Sequence, residues 1–180
     1  MIYSISGGAR SGKSKFAEAL ALQLSEKYQT EVIYIATCEF VDEEMADRVK
    51  RHVEQRPSDW KTIEEPIKLE NMIASFKSEN IILIDCLTLW ISNLLVRNHT
   101  EEEIIERLHA LCQYMKTTSH QCIFVTNEVG LGIIPSNELS RKFRDIAGLS
   151  NQILNYYADE KIFVLSGIPI DLKKISWEGV

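Results

Sequence analysis

Five short runs of apolar, mostly β-branched residues punctuate the chain: Ile2 to Ser6, Val32 to Ala36, Ile81 to Ile84, Cys122 to Thr126 and Lys161 to Leu165. A short continuous apolar run marks a strand buried on both faces, and that is what each predicts. Between them the apolar spacing changes to that of a helix, over Lys13 to Tyr28, Asp42 to Glu54, Leu69 to Lys77, Leu87 to Val96, Glu101 to Thr117 and Asn137 to Tyr157. Phe16, Leu20 and Leu24 recur at i, i+4, i+8 in the first of these. Strands that alternate with helices predict an α/β fold: a three-layer, mostly parallel sheet covered on both sides. In such sheets ligands gather beyond the carboxyl ends of the strands. That rule selects Thr37, Asp85, Asn127, Glu128 and Ser166, which follow or end the runs.

The first strand gives way to Gly7-Gly8-Ala9-Arg10-Ser11-Gly12-Lys13-Ser14, which fits the G-x-x-x-x-G-K-[S/T] phosphate loop. The glycines let successive N–H groups point at phosphate oxygens, Lys13 adds a point charge for the β and γ phosphates, and Ser14 is a Mg²⁺ ligand. A strand before it and a helix after it are the context the motif requires. Asp85, at the end of an apolar strand, is then the second expected Mg²⁺ ligand. Without the phosphate loop, a run followed by Asp is equally a strand followed by a turn residue. Cys86 has no neighbouring cation in sequence to lower its pKa and reads as a small buried residue.

Asp42 to His52 reads as an amphipathic helix with Met45, Val49 and Val53 on one stripe and Glu44, Arg48 and His52 on another. Acids stand early and bases late, as the helix dipole favours, and Pro57 bars its continuation. Arg51 and Arg56 near His52 favour the neutral, nucleophilic imidazole. From spacing alone, however, a histidine on a solvated helix surface is the commoner reading of His52. Thr100 before Glu101-Glu102-Glu103 is an expected N-cap with favourable charge in the first turn. Arg141, Lys142 and Arg144 read either as a phosphate-facing group or as a solvated basic stripe.

With 180 residues, 45% of them hydrophobic, the chain has enough material for one full core, so residues 1–180 read as a single domain. A net charge of −6 argues against nucleic acid or an anionic membrane as the main partner. No stretch approaches the roughly 20 apolar residues of a membrane span. Cys38, Cys86, Cys112 and Cys122 show no C-x-x-C spacing and read as reduced thiols of a cytoplasmic protein.

Several segments together, in order, resemble one family: the phosphate loop, Tyr34 to Thr37, Arg51-His52 with Arg56-Pro57, Thr126 to Pro135, Phe143 to Gly148, Asn151-Gln152 and Ser166 to Pro169. It is the adenosylcobinamide kinase/adenosylcobinamide-phosphate guanylyltransferase family of cobalamin assembly. The resemblance implies a RecA-like P-loop fold and two reactions, phosphorylation of adenosylcobinamide by ATP or GTP and transfer of GMP from GTP onto the phosphate so formed. It implies a guanylylated histidine, for which His52 holds the matching position beside Lys13 as the other catalytic residue. It further implies nucleotide contacts from Gly7, Gly8, Ala9, Arg10, Ser11, Gly12, Lys13, Ser14, Ala36, Thr37, Cys38, Val53, Glu54, Gln55, Arg56, Glu64 and Asp85. Ser14 and Asp85 are the implied Mg²⁺ ligands. A homotrimer is also implied, and residues 170–180 extend past the shared ending. The glycines of Thr126 to Pro135 permit an irregular loop able to close over a bulky corrinoid, or a plain connection into the next helix. Two other readings of the same residues are a P-loop kinase of another small alcohol, with His52 incidental, and a regulatory module that switches on binding a triphosphate.

Overall fold

The computed structural model describes residues 1–39, 57 and 60–177. Seven strands are described: β1 (Ile2–Gly7), β2 (Val32–Ala36), β3 (Lys61–Glu64), β4 (Ile81–Asp85), β5 (Gln121–Asn127), β6 (Glu160–Leu165) and β7 (Ile168–Asp171). They form one sheet in the order β3-β2-β4-β5-β1-β6-β7, parallel throughout except for β7 against β6. The described helices are α1 (Lys13–Tyr28), α2 (Leu69–Ala74), α3 (Leu87–Val96), α4 (Glu101–Thr117), α5 (Glu138–Tyr157) and the short α6 (Leu172–Ile175).

The period-2 geometry of the strands divides the core in two. Ile82 and Ile84 of β4 and Cys122 and Phe124 of β5 face a cluster with Leu69, Trp90, Ile91, Leu108 and Leu154 from α2 to α5. Their neighbours Ile81, Leu83, Ile123 and Val125 face the other side, against Ala17, Ala21 and Leu24 of α1. Burial on both faces explains why these strands are continuous apolar runs rather than alternating ones.

Four of the five expected strands are buried as anticipated, each within one residue of its expected bounds at either end, β4 and β5 also taking in the strand-tip residues Asp85 and Asn127. The fifth differs: β6 is mostly half-buried, because it is the next-to-last strand and its outer neighbour is only the terminal hairpin strand. The two outermost strands, β3 and β7, have no apolar run to announce them. Helix α2 stops at Ala74 rather than Lys77, where Ser75 Oγ donates to Met72 O (2.6 Å) and diverts the chain from helical bonding. The helix expected over residues 42–54 lies outside the described residues.

Helix α4 carries a complete capping box. Glu103 N donates to Thr100 Oγ1 (3.2 Å) and Thr100 N donates to Glu103 Oε2 (2.9 Å). Asn137 caps α5, with Oδ1 accepting from Ser140 N at 2.7 Å. At the other end of the chain Ser166 and Gly167, at φ 51° and 85°, make the two-residue turn between β6 and β7. The sheet therefore takes up residues 170 and 171, which the resemblance had assigned to a tail.

Candidate functional site

The carboxyl ends of β1, β2, β4 and β5 open onto one cavity of about 680 Å³. Its floor is Gly8, Ala9, Lys13 and Ser14 of the phosphate loop; its walls are Tyr34, Ala36, Cys38, Asp85, Cys86, Leu89, Asn127 and Glu128; its rim is Val129, Leu131, Gly132 and Ile133.

The phosphate loop is held in shape by its surroundings. Ser11 N donates to Gly8 O (3.2 Å), and Phe16 N donates to Gly12 O (3.0 Å) as α1 begins. From outside, Gly167 N donates to Ser11 O (2.8 Å) and Glu128 N donates to Gly7 O (3.2 Å). A Cβ on Gly7 would stand 2.6 Å from the carbonyl oxygen of Val164, and Gly12 combines φ 94° with a Cβ position 3.3 Å from the Gly167 Cα. Both positions therefore exclude a side chain. The first N–H groups of α1 and the positive end of its dipole face the cavity floor, and no acid occupies that first turn. Lys13 is buried, with Nζ donating to Gly8 O at 3.1 Å.

Asp85 is oriented by a neighbour that sequence reasoning did not select. Tyr34, 3% exposed on β2, donates its hydroxyl to Asp85 Oδ2 at 2.9 Å. Ser14 and Asp85 line the same cavity, and among the described residues no group of three or more His, Cys, Asp or Glu forms a metal cage. That donor set suits Mg²⁺, which binds through one or two protein oxygens and completes its octahedron with water and substrate phosphate. Cys86 is buried, and burial, reinforced by the adjacent Asp85 charge, pushes its thiol up to about 12. It is a wall residue and not a nucleophile at neutral pH.

Of the expected nucleotide contacts, Gly8, Ala9, Lys13, Ser14, Ala36, Cys38 and Asp85 meet at the cavity, while Gly7, Ser11 and Gly12 make the backbone bonds that shape the loop and Arg10 turns it at φ 58°. Thr37 is fully buried: its Oγ1 donates to Cys86 O and accepts from Cys86 N, both at 2.7 Å, so its side chain ties β2 to β4. Glu64 ends the outer strand β3 opposite Ala36 and is exposed, outside the cavity lining. His52, Val53, Glu54, Gln55 and Arg56 lie outside the described residues. Arg141 donates to the carbonyls of Pro135 and Ser136, and Arg144 pairs with Asp145, which ties the two arginines of the α5 basic group to their own surroundings.

Asn127 and Glu128, which the strand-tip rule named, are held by a buried polar chain. Asn127 N donates to Thr88 Oγ1 (2.7 Å), the Thr88 and Thr126 hydroxyls lie 3.2 Å apart, and Thr126 Oγ1 donates to Asn151 Oδ1 (2.7 Å). Asn151 Nδ2 then donates to Asn127 O (3.1 Å) and Glu128 Oε1 (2.9 Å). Asn151 is 4% exposed and sits on the buried stripe of α5 with Ile146, Ala147, Ser150 and Leu154. A carboxamide on a core-facing stripe is the sequence signal that identifies it.

A phosphate loop at the tip of β1, an acid at the tip of β4, and a parallel sheet covered on both faces define a nucleotide-binding P-loop enzyme of the RecA-like class. The KaiC-like protein PH0186 from Pyrococcus horikoshii shares that architecture, with a TM-score of 0.52 at 19% identity, over 90% of this chain and 69% of that one. The chain belongs to the cobinamide kinase/cobinamide phosphate guanyltransferase family, whose model matches residues 3–172. It is 37% identical over 186 residues to the bifunctional adenosylcobalamin biosynthesis protein CobU of Escherichia coli, covering 96% of this chain and all of the relative. Against CobU of Salmonella typhimurium the identity is 40%, with the same coverages. Against CobP of Pseudomonas aeruginosa it is 39%, over 94% of this chain and 95% of the relative.

Proposed function

We propose that this chain phosphorylates adenosylcobinamide at its aminopropanol hydroxyl and then transfers GMP from GTP onto that phosphate through a guanylyl intermediate on His52. The observation that carries the reading is the family match over residues 3–172, joined to a cavity in which Lys13, Ser14 and Asp85 converge.

Phosphoryl transfer asks for positioning and charge stabilisation more than covalent chemistry. The N–H groups at the start of α1 bind phosphate oxygens and orient the chain of phosphates. Lys13, held against Gly8 O, offsets charge that develops on the bridging oxygen. Ser14 and Asp85 would hold Mg²⁺, which supplies further neutralisation of the phosphates. In the second reaction an imidazole nitrogen of His52 attacks the α-phosphorus, the bond to pyrophosphate breaks, and pyrophosphate leaves. An oxygen of the adenosylcobinamide phosphate then displaces the imidazole, giving adenosylcobinamide-GDP and free His52.

The three buried free thiols Cys86, Cys112 and Cys122 suit a cytoplasmic enzyme, and the exposed apolar Leu165, Ile168, Ile175 and Trp177 suit a homo-oligomer, by family resemblance a trimer.

Labelling decides the covalent step. Wild type incubated with Mg²⁺ and GTP labelled at the α-phosphate should retain label after denaturation, and His52→Ala should retain none; equal labelling of the two removes the guanylyl-histidine. The kinase half is read separately, as a phosphorylated product from adenosylcobinamide with ATP or GTP.

A further inference from the structure

Glu128 places a carboxylate in a cavity otherwise built to gather phosphate. A negative side chain lining the same cavity as Lys13 works against binding a polyphosphate, yet the buried Asn151 amide, itself fixed by the buried Thr126 and Thr88, holds it there. Its position in the sheet explains what it does. Strand β5 lies between β1, which carries the phosphate loop, and β4, which carries Asp85. Glu128 N donates to Gly7 O, so the residue is fastened to the first residue of the phosphate loop. Immediately after it the lining turns apolar, with Val129, Leu131 and Ile133, and Leu131 and Ile133 are 76% and 93% exposed. Glu128 thus stands where the phosphate-binding floor meets an apolar rim suited to the body of an organic acceptor.

The polar chain also sets the direction of every proton. Thr126 donates to Asn151 Oδ1, which commits the amide oxygen and turns Nδ2 toward Glu128. Because the Thr126 proton goes to Asn151, Thr88 is the donor of the Thr88–Thr126 pair, while its oxygen accepts from Asn127 N. Oε1 of Glu128 therefore receives a donor and is held as an acceptor, leaving Oε2 for a second donor.

We propose that Glu128 is the catalytic base of the phosphoryl-transfer half, taking the proton of the acceptor hydroxyl, and that Asn151 is its positioning residue. This rests on the kinase reading above. The hydroxyl oxygen attacks the γ-phosphorus, its bond to phosphorus forms, and the bond from the γ-phosphorus to the β–γ bridging oxygen breaks. The nucleoside diphosphate leaves with that electron pair, and the hydroxyl proton passes to Glu128 Oε2 and on to water. The guanylyl-transfer half has no such requirement, because its acceptor is a phosphate oxyanion without a proton to lose.

That asymmetry supplies the test. Glu128→Gln keeps the shape and the acceptor for Asn151, and is expected to lower kinase kcat about 100-fold. KM for the nucleotide and Tm should not move, the acidic limb of the kcat–pH profile should vanish, and GMP transfer onto preformed adenosylcobinamide phosphate should change less than threefold. Glu128→Asp should restore the acidic limb at reduced kcat. Asn151→Ala should lower kinase kcat about tenfold while keeping that limb, displaced in pH. A Glu128→Gln enzyme with kinase kcat within threefold of an active wild type overturns the assignment. So does a parallel fall of both reactions with a raised Mg²⁺ half-saturation, which marks Glu128 as a metal or nucleotide holder. A wild type that phosphorylates no adenosylcobinamide removes the kinase reading itself, a different result from an active wild type with an active variant.

Discussion

The hydrogen bond from Tyr34 to Asp85 is made across adjacent strands by a side chain with almost no exposure. Groups that orient a metal's carboxylate typically change its affinity 10–100-fold when removed, so Tyr34→Phe should raise the Mg²⁺ half-saturation of phosphoryl transfer about tenfold. A titration of rate against Mg²⁺ checks this, and an unchanged midpoint separates Tyr34 from the metal. Asp159 shows a second kind of dependence. Burial raises its pKa, but the Lys116 ammonium at 2.6 Å and the Ile2 N–H at 2.8 Å outweigh that and hold it below its ordinary value of 3.8. The folded state therefore binds its proton less readily than the unfolded one, and the stabilisation is present above the ordinary value and lost as pH falls through the folded one. Asp159→Asn should lower Tm at neutral pH, and the gap from wild type should close as pH falls below 3.8. Lys13, Ser14 and Asp85 were legible in the sequence because phosphate chemistry demands those residue types at fixed spacing after a strand. Thr37 was legible only in part: the strand-tip rule finds a residue's level along the sheet, not the direction of its side chain, and this hydroxyl turns to the backbone of Cys86. The buried thiol of Cys86, pushed up to about 12, should react with iodoacetamide at pH 8 far more slowly than the half-buried Cys38, measurable by mass spectrometry.

Elements announce themselves when their own residues carry the reason for them. Helix α4 did so through Thr100 and its acidic first turn, and Thr100→Ala should cost about 1 kcal/mol in urea unfolding by removing an N-cap. The central strands did so through apolar runs that reflect two buried faces. Strands β3 and β7 did not, since an edge strand is defined by the partner it pairs with; Lys61, Thr62 and Glu64 are exposed, and Pro169 in β7 argues against a strand to any pattern rule. The same proline removes a donor from the sheet's edge, which hinders pairing with another chain. Asn151 belongs to this scale as well. Its partners are distant in sequence, Asn127 and Thr126 on β5, so only the packing of α5 across the sheet brings the polar chain together.

At the level of the whole molecule the first strand is held by segments far along the chain. Strand β1 lies between β5 and β6, and Ile2 N and the Met1 amino group are bonded to Asp159 and the carbonyl of His120. The hairpin turn at Ser166 and Gly167 then presses on the phosphate loop through Ser11 O and Gly12. During synthesis this reverses the natural order of maturation. The phosphate loop leaves the ribosome before either of its two flanking strands and before the turn that braces it. A nascent chain ending before Gly167 holds all of the motif's letters and lacks the scaffold that gives them shape. Ribosome-bound chains of increasing length should therefore begin to retain nucleotide only once residues through β7 have emerged, which a length series of stalled chains with a fluorescent GTP analogue would read directly.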